Sequence, residues 1–173
     1  MEIKRPRIEG RHYAVATFEG ALPVGGIEMA RDAGADGIAI TGTAARESVV
    51  GAACRELELR YLSIPSQAVR FVPRDVLARV EVLELRGRSR LEIDTTAIPG
   101  VRVLTVGSGA RLKGSLDRCP EVVQVYLGLF DGENLRQFDH CPHLRSLKLL
   151  GRHQLITPDW GAVAPNLEHF MHL

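Results

Sequence analysis

A spacing constrains this chain more than any other feature. Leu144, Leu147 and Leu149 stand at i, i+3 and i+5 within Cys141-Pro142-His143-Leu144-Arg145-Ser146-Leu147-Lys148-Leu149-Leu150-Gly151. Neither a steady helical stripe nor a plain alternating strand yields that order. Leu147 and Leu149 are two apart, so in a strand both point to one face, and Leu144 enters from the turn before it.

The same three slots recur at Ala35/Ile38/Ile40, Leu59/Leu62/Ile64, Val80/Leu83/Leu85, Val101/Leu104/Val106, Val122/Val125/Leu127 and Leu167/Phe170/His172. Their first positions lie 24, 21, 21, 21, 22 and 23 residues apart. Of the 21 slots, 20 are apolar, in a chain that is 45% hydrophobic. Chance would fill roughly nine or ten, so the pattern is a repeat.

Leu-x-x-Leu-x-Leu at such a period resembles the leucine-rich repeats. Ile98-Pro99-Gly100-Val101, Cys119-Pro120-Glu121-Val122, Cys141-Pro142-His143-Leu144 and Ala164-Pro165-Asn166-Leu167 agree with it, each with Pro two residues before the first slot. Proline there ends the preceding segment without removing a donor from the strand ladder. The ninth position departs from the family's Asn or Cys: it holds Thr43, Gln67, Arg88, Gly109, Phe130 and Arg152. The resemblance is to an irregular, bacterial-type member and covers residues 35–173, with 12–34 a fainter extension. It implies an α/β fold, a leucine-rich-repeat solenoid with a curved parallel β-sheet on its concave face. Short helices, 3₁₀ turns or loops would form the convex face. One domain would span 1–173, with about seven repeats starting near residues 35, 59, 80, 101, 122, 144 and 167, and 1–34 as an N-terminal cap or first irregular repeat.

In chain order, Arg11 to Phe18 is a short β-like run, Gly20 to Gly26 a loop, and Ile27 to Ala33 a helical turn or two. A helix is expected from Ala44 to Leu57 on the apolar face of Val49, Val50, Ala53 and Cys54. Strands are expected at Gly37 to Ile40, Arg60 to Ile64 and Glu81 to Leu85. Ala30 to Ile40 also has the look of a helix-to-strand junction of a (β/α)-barrel enzyme, but that fold takes about 250 residues.

Net charge is +1, from 22 Lys and Arg against 21 acidic residues, so the whole chain has no pull toward nucleic acid or an anionic membrane. Met1 to Arg11 has no apolar core of a signal peptide, and no apolar run is long enough to span a bilayer. A cytoplasmic protein is expected. Three cysteines fit a reducing compartment. Cys119 and Cys141 share a slot in adjacent repeats and read as small buried side chains, at a spacing that would not forbid a disulfide.

Within a repeat the residues between core slots face outward. One outward column runs Ala39, Ser63, Glu84, Thr105, Tyr126, Lys148, Met171, and a second runs Gly37, Tyr61, Val82, Val103, Gln124, Ser146, His169. A third, beside the first slot, runs Asp36, Arg60, Glu81, Arg102, Val123, Arg145, Glu168, where alternating charges read as register-fixing pairs. Tyr61, Glu84, Arg86, Tyr126, Arg145, Lys148 and His169 mix aromatic and charged groups and form the expected partner-binding patch.

No catalytic, cofactor or metal site is expected. His140/His143 and His169/His172 are three apart, and such pairs on a strand face opposite sides. Gly107 to Gly114 is glycine-rich and basic but lacks the spacing of a phosphate loop, so it reads as a post-strand turn. The leading expectation is a non-catalytic protein–protein interaction module, such as a bacterial immunity or inhibitor protein or a scaffold, with a protein partner. The alternatives are self-assembly into a homo-oligomer through an uncapped C-terminal strand edge, and a small barrel-like α/β enzyme.

Overall fold

A computed structural model describes residues 1–42, 45–87, 91–107, 110–128, 138, 141–150 and 164–172, without the side chains of Leu91, Ala110, Arg111 and His172. The fold is α/β, built on a large, mostly parallel sheet with few helices. Nine strands form it: β1 (Glu2–Lys4), β4 (Val15–Phe18), β5 (Gly37–Ile40), β6 (Tyr61–Pro65), β7 (Val82–Arg86), β9 (Val103–Val106), β11 (Gln124–Leu127), β12 (Ser146–Leu149) and β13 (His169–His172). They lie in that order, each parallel to the next except β1, which caps the β4 edge antiparallel. Among the described residues no pairing joins β1 to β13, so the strands do not close on themselves. No helix among the described residues is long and apolar enough to cross a membrane.

Register follows the repeat. Leu62 pairs with Leu83, Leu83 with Leu104, Leu104 with Val125, Val125 with Leu147, and Leu147 with Phe170. The backbone explains the i, i+3, i+5 spacing. Arg60 and Tyr61 both donate their amides to the Asp36 carbonyl, Glu81 and Val82 both to Arg60, Arg102 and Val103 both to Glu81, and the sharing continues to Glu168 and His169 on Arg145. Two successive amides on one acceptor bend the chain as it joins the sheet. Two consecutive residues therefore turn outward before strict alternation begins, and the core slots fall at one, four and six.

The prolines sit in a recurrent turn. The amides of Val101, Val122, Leu144 and Leu167 donate to the carbonyls of Ile98, Cys119, Cys141 and Ala164, three residues back. Proline's fixed φ suits the second position of such a turn.

The main core lies between the sheet and the segments that cross one of its faces. Those segments are α1 (Gly26–Asp32), α2 (Glu47–Glu56), the short α3 (Arg74–Leu77) and 3₁₀ turns at Ser66–Phe71, Thr95–Ala97 and Leu116–Arg118. Helix α2 begins at Glu47, later than Ala44, and buries Val50, Ala53 and Cys54 as its spacing predicts. All three slots of every unit from Ala35 to Leu149 are buried, and each large one contributes about 1.5–3 kcal/mol. In the last unit Leu167 is half-buried and Phe170 is exposed.

A second parallel ladder, β8 (Leu91–Asp94) with β10 (Ala110–Lys113), lies on the helical side and buries Ile93 and Leu112 in the main core. Ala110 to Lys113 is therefore a strand, where a turn was expected. The alternation of Arg111, Leu112 and Lys113 gives that strand Leu112 to bury, and Ser108 and Gly109 lie outside the described residues. The ladder closes on Gly114, at φ +96°, where a Cβ would meet the Thr95 Oγ1 at 2.7 Å. Thr95 is fully buried and its hydroxyl donates to the Lys113 carbonyl. Of the ninth-position residues only Gln67 is described, exposed in the 3₁₀ segment; Thr43, Arg88, Gly109, Phe130 and Arg152 lie outside the described residues.

Candidate functional site

The sheet face opposite the helices carries the outward columns, and it is divided in two. Over β4 to β9 it is closed by the N-terminal arm. After β1 the chain forms a hairpin, β2 (Arg7–Ile8) with β3 (Arg11–His12), turning at Glu9 and Gly10, both at positive φ. The Tyr13 amide then donates to the Pro6 carbonyl, and the Ala14 amide to the Asp36 carboxylate at 2.7 Å. This lays Tyr13 across the face. A second apolar cluster forms beneath it from Tyr13, Val15, Ala39, Tyr61, Val82, Val103 and Val123, with Ile8 packed on it. The Tyr13 and Tyr61 rings lie 6.0 Å apart and tilted.

A charged node holds the arm down. The Glu81 carboxylate accepts from the Tyr13 hydroxyl at 2.9 Å and from Arg60 through both Nε and Nη2 at 3.1 Å, and pairs with Arg11 at 2.9 Å. Arg60 also donates to Asp36 at 3.2 Å, and its guanidinium stacks 5.2 Å from the Tyr13 ring centre. Burial by itself raises the Glu81 pKa, but the hydrogen bonds from Arg60, Tyr13 and Arg11 outweigh it and hold the carboxyl below its ordinary range. The Tyr13 hydroxyl is pushed up, by burial first and then by Glu81.

Arg102, the next residue in that column, was expected to pair with Glu81. Glu81 is already taken, and the Arg102 Nε and Nη1 are buried with no partner among the described residues. The column thus pairs at Asp36, Arg60 and Glu81 and stops. Ser63 is also buried, its hydroxyl without a partner among the described residues.

The expected patch residues fall on both sides of the division. Tyr61 is 7% exposed: it lies beneath the arm, and the open column expected there is covered because Tyr13 reaches it from outside the repeats. Burial, then the charge and hydrogen bond of Glu84, raise its hydroxyl pKa well above the usual tyrosine range. Glu84 is half-buried and holds Arg86 at 2.9 Å. These three stand together beside a cleft of about 330 Å³ that Lys4, Thr17, Ala39, Tyr61 and Arg86 line.

Over β11 to β13 no described segment covers the face. Tyr126 and Lys148 are register neighbours and half-buried, and Arg145 and His169 are exposed. Arg145 and Lys148 have no ion pair among the described residues. Arg145 also lines a cleft of about 380 Å³ with Pro142, His143, Asn166 and Glu168.

The structure therefore joins Tyr61, Glu84 and Arg86 on one side, and Tyr126, Arg145, Lys148 and His169 on the other. Sequence reasoning missed Tyr13 and Arg11, which precede the repeats. The available signal was a tyrosine inside the β-like run before the first unit.

No group of three His, Cys, Asp or Glu able to hold a metal occurs among the described residues. His140 and the His172 side chain lie outside the description. All three cysteines are buried: burial pushes Cys54 up to about 11 and Cys119 to about 12, so neither is an activated thiol. The Cys119 thiol lies 3.4 Å from the Ile98 carbonyl, as a buried thiol donating within its own turn column. Compared with known protein families, curated proteins and solved structures, the chain matches none.

Proposed function

We propose that this chain is a leucine-rich-repeat solenoid that works as a non-catalytic protein-binding module, capturing a partner protein through the concave face of its sheet. The observation that carries the reading is the far end of that face, where Tyr126, Arg145, Lys148 and His169 lie outside the cluster that the arm covers, while the slots beside Tyr126 and Lys148 are filled by Val125, Leu127, Leu147 and Leu149. Tyrosine on a rigid sheet loses little conformational freedom on binding, and tyrosine and arginine carry a large share of interface energy. A toxin-neutralising inhibitor and a scaffold are both members of this class. The test is affinity capture from the native organism with mass spectrometry, comparing the unaltered chain with Tyr126→Ala/Lys148→Glu. Loss of the captured partner at unchanged stability supports the reading. Retention there, with loss on Arg55→Glu at the helical side, moves the site to the other face.

A second reading, assembly of copies through the β13 edge, rests on one observation: Phe170 and Met171 are 38% and 44% exposed on a strand that pairs with β12 alone among the described residues. Light scattering tests it, and a monomer at high concentration counts against it.

A further inference from the structure

We infer that the partner offers this face an acidic segment, with Asp or Glu carboxylates that meet Arg102, Arg145 and Lys148 and an aromatic side chain that lies between them against Tyr126. The inference rests on the protein-binding reading and names the chemistry of its ligand.

The closed half shows how a segment is held on this face. Tyr13 seats an aromatic ring on Tyr61 and the valine row, and the charges of the third column are discharged at its edge through Glu81. The open half continues both features without an occupant. The second column continues from Val103 to Gln124, with Val123 packed on the valine cluster from the third column, which itself continues from Arg102 through Val123 to Arg145. Two strands separate Arg102 from Arg145, about 10 Å.

The charge balance of the open half is one-sided. Glu81 is saturated by Arg60, Arg11 and Tyr13, which leaves the Arg102 Nε and Nη1 without an acceptor. Glu84 is held by Arg86. Glu168, beside Arg145 in the column, is exposed and makes no ion pair among the described residues, and Lys148 has none either. Carboxylates supplied in trans would pair with the cations that stand at the surface, Arg145 and Lys148, and Arg102, half-buried with its Nε and Nη1 inaccessible, adds its charge to theirs. A phosphate polymer fits less well, because three cations on a chain of net charge +1 fall short of the six or more phosphate contacts common in nucleic-acid binding.

The test is an NMR titration of the isotope-labelled full chain with three probes: a short peptide of alternating Glu and Tyr, the same peptide with Lys for Glu, and a single-stranded DNA of equal length. The Glu peptide should shift the amides of Val103, Tyr126, Arg145 and Lys148, with an affinity that falls about tenfold on raising salt well above physiological strength. R102Q/R145Q/K148Q should lose about tenfold or more in affinity, whereas R31Q/R55Q/R70Q, the same charge change on the helical side, should not. Because Arg102 is half-buried, R145Q/K148Q serves as a second variant that keeps the arm node intact, and its loss should be intermediate. No shift at these amides, or tighter binding of the DNA, overturns the inference. An equal response on this face to the Lys and Glu peptides overturns it too but leaves protein binding by the face standing. Shifts confined to the helical side overturn both.

Discussion

Closed and open halves of one sheet face are built from the same repeat, yet they do opposite things. From β4 to β9 the second outward column is Val15, Gly37, Tyr61, Val82 and Val103, all buried on the side covered by Tyr13 and its hairpin. From β11 to β13 the corresponding positions are Gln124, Ser146 and His169, half-buried or exposed. The backbone hydrogen bonding is the same on both sides, including the amides that share a carbonyl at each strand start. What differs is side-chain polarity and the presence of a covering segment. A repeat can therefore spend part of its outward face on a second core and keep the remainder for recognition.

The sharpest way to break this division is to truncate a tyrosine in each half. Tyr61→Ala removes a ring from beneath Tyr13 and is expected to cost about 3–4 kcal/mol in urea denaturation. Tyr126→Ala should cost about 1 kcal/mol or less, because its ring is already in partial contact with water. Equal costs would mean that the two halves are packed alike.

Gly37→Ala should follow, at about 1–3 kcal/mol. A Cβ there would lie 2.7 Å from the Tyr61 Cβ and 3.2 Å from Val15, so the closed half has no room for a methyl group. A thermal melt indistinguishable from the unaltered chain would show that β4 and β6 can shift from β5 to make space.

Glu81→Gln tests the clasp and is expected to cost about 1.5–3 kcal/mol at neutral pH, as for the loss of charge-assisted hydrogen bonds. Its folded pKa lies below the ordinary 4.5, so the stabilisation is present above that value and lost as pH falls through the lower, folded pKa. The gap between the two proteins should therefore close in acid. Hydrogen exchange should quicken at residues 2–13 in the variant, and a gap that persists unchanged in strong acid would assign the effect to packing instead of charge.

Lys148→Ala should be the smallest change, within about 0.5 kcal/mol of the unaltered chain, since Lys148 makes no ion pair among the described residues. A larger loss in calorimetry would show that the open half is stabilising the fold and is not a surface held in reserve.

Much of this architecture is legible in the residues. Every repeat slot from Ala35 to Leu149 is a core position, and the strand at Gly37 to Ile40 and a helix over Val50 and Cys54 also follow from spacing, because burial of one face imposes a period that survives in sequence. The recurrent Pro marks the turn three residues wide that precedes Val101, Val122, Leu144 and Leu167. The second ladder of β8 and β10 was not legible: four-residue strands with one buried side chain between polar neighbours carry almost no periodic signal.

By itself, then, the sequence determined the parallel stacking, its register and which side of each strand is core, since those follow from local spacing. The tertiary structure alone decided that Tyr61 is covered, that Glu81 binds Arg60, Arg11 and Tyr13, and that the Arg102 Nε and Nη1 have no acceptor among the described residues. These depend on an arm that precedes the repeats and returns over them from 68 residues away in sequence, as the Tyr13–Glu81 bond records. No local period encodes a contact of that range. It arises because the valines of the closed half need an apolar cover that their own repeats do not supply.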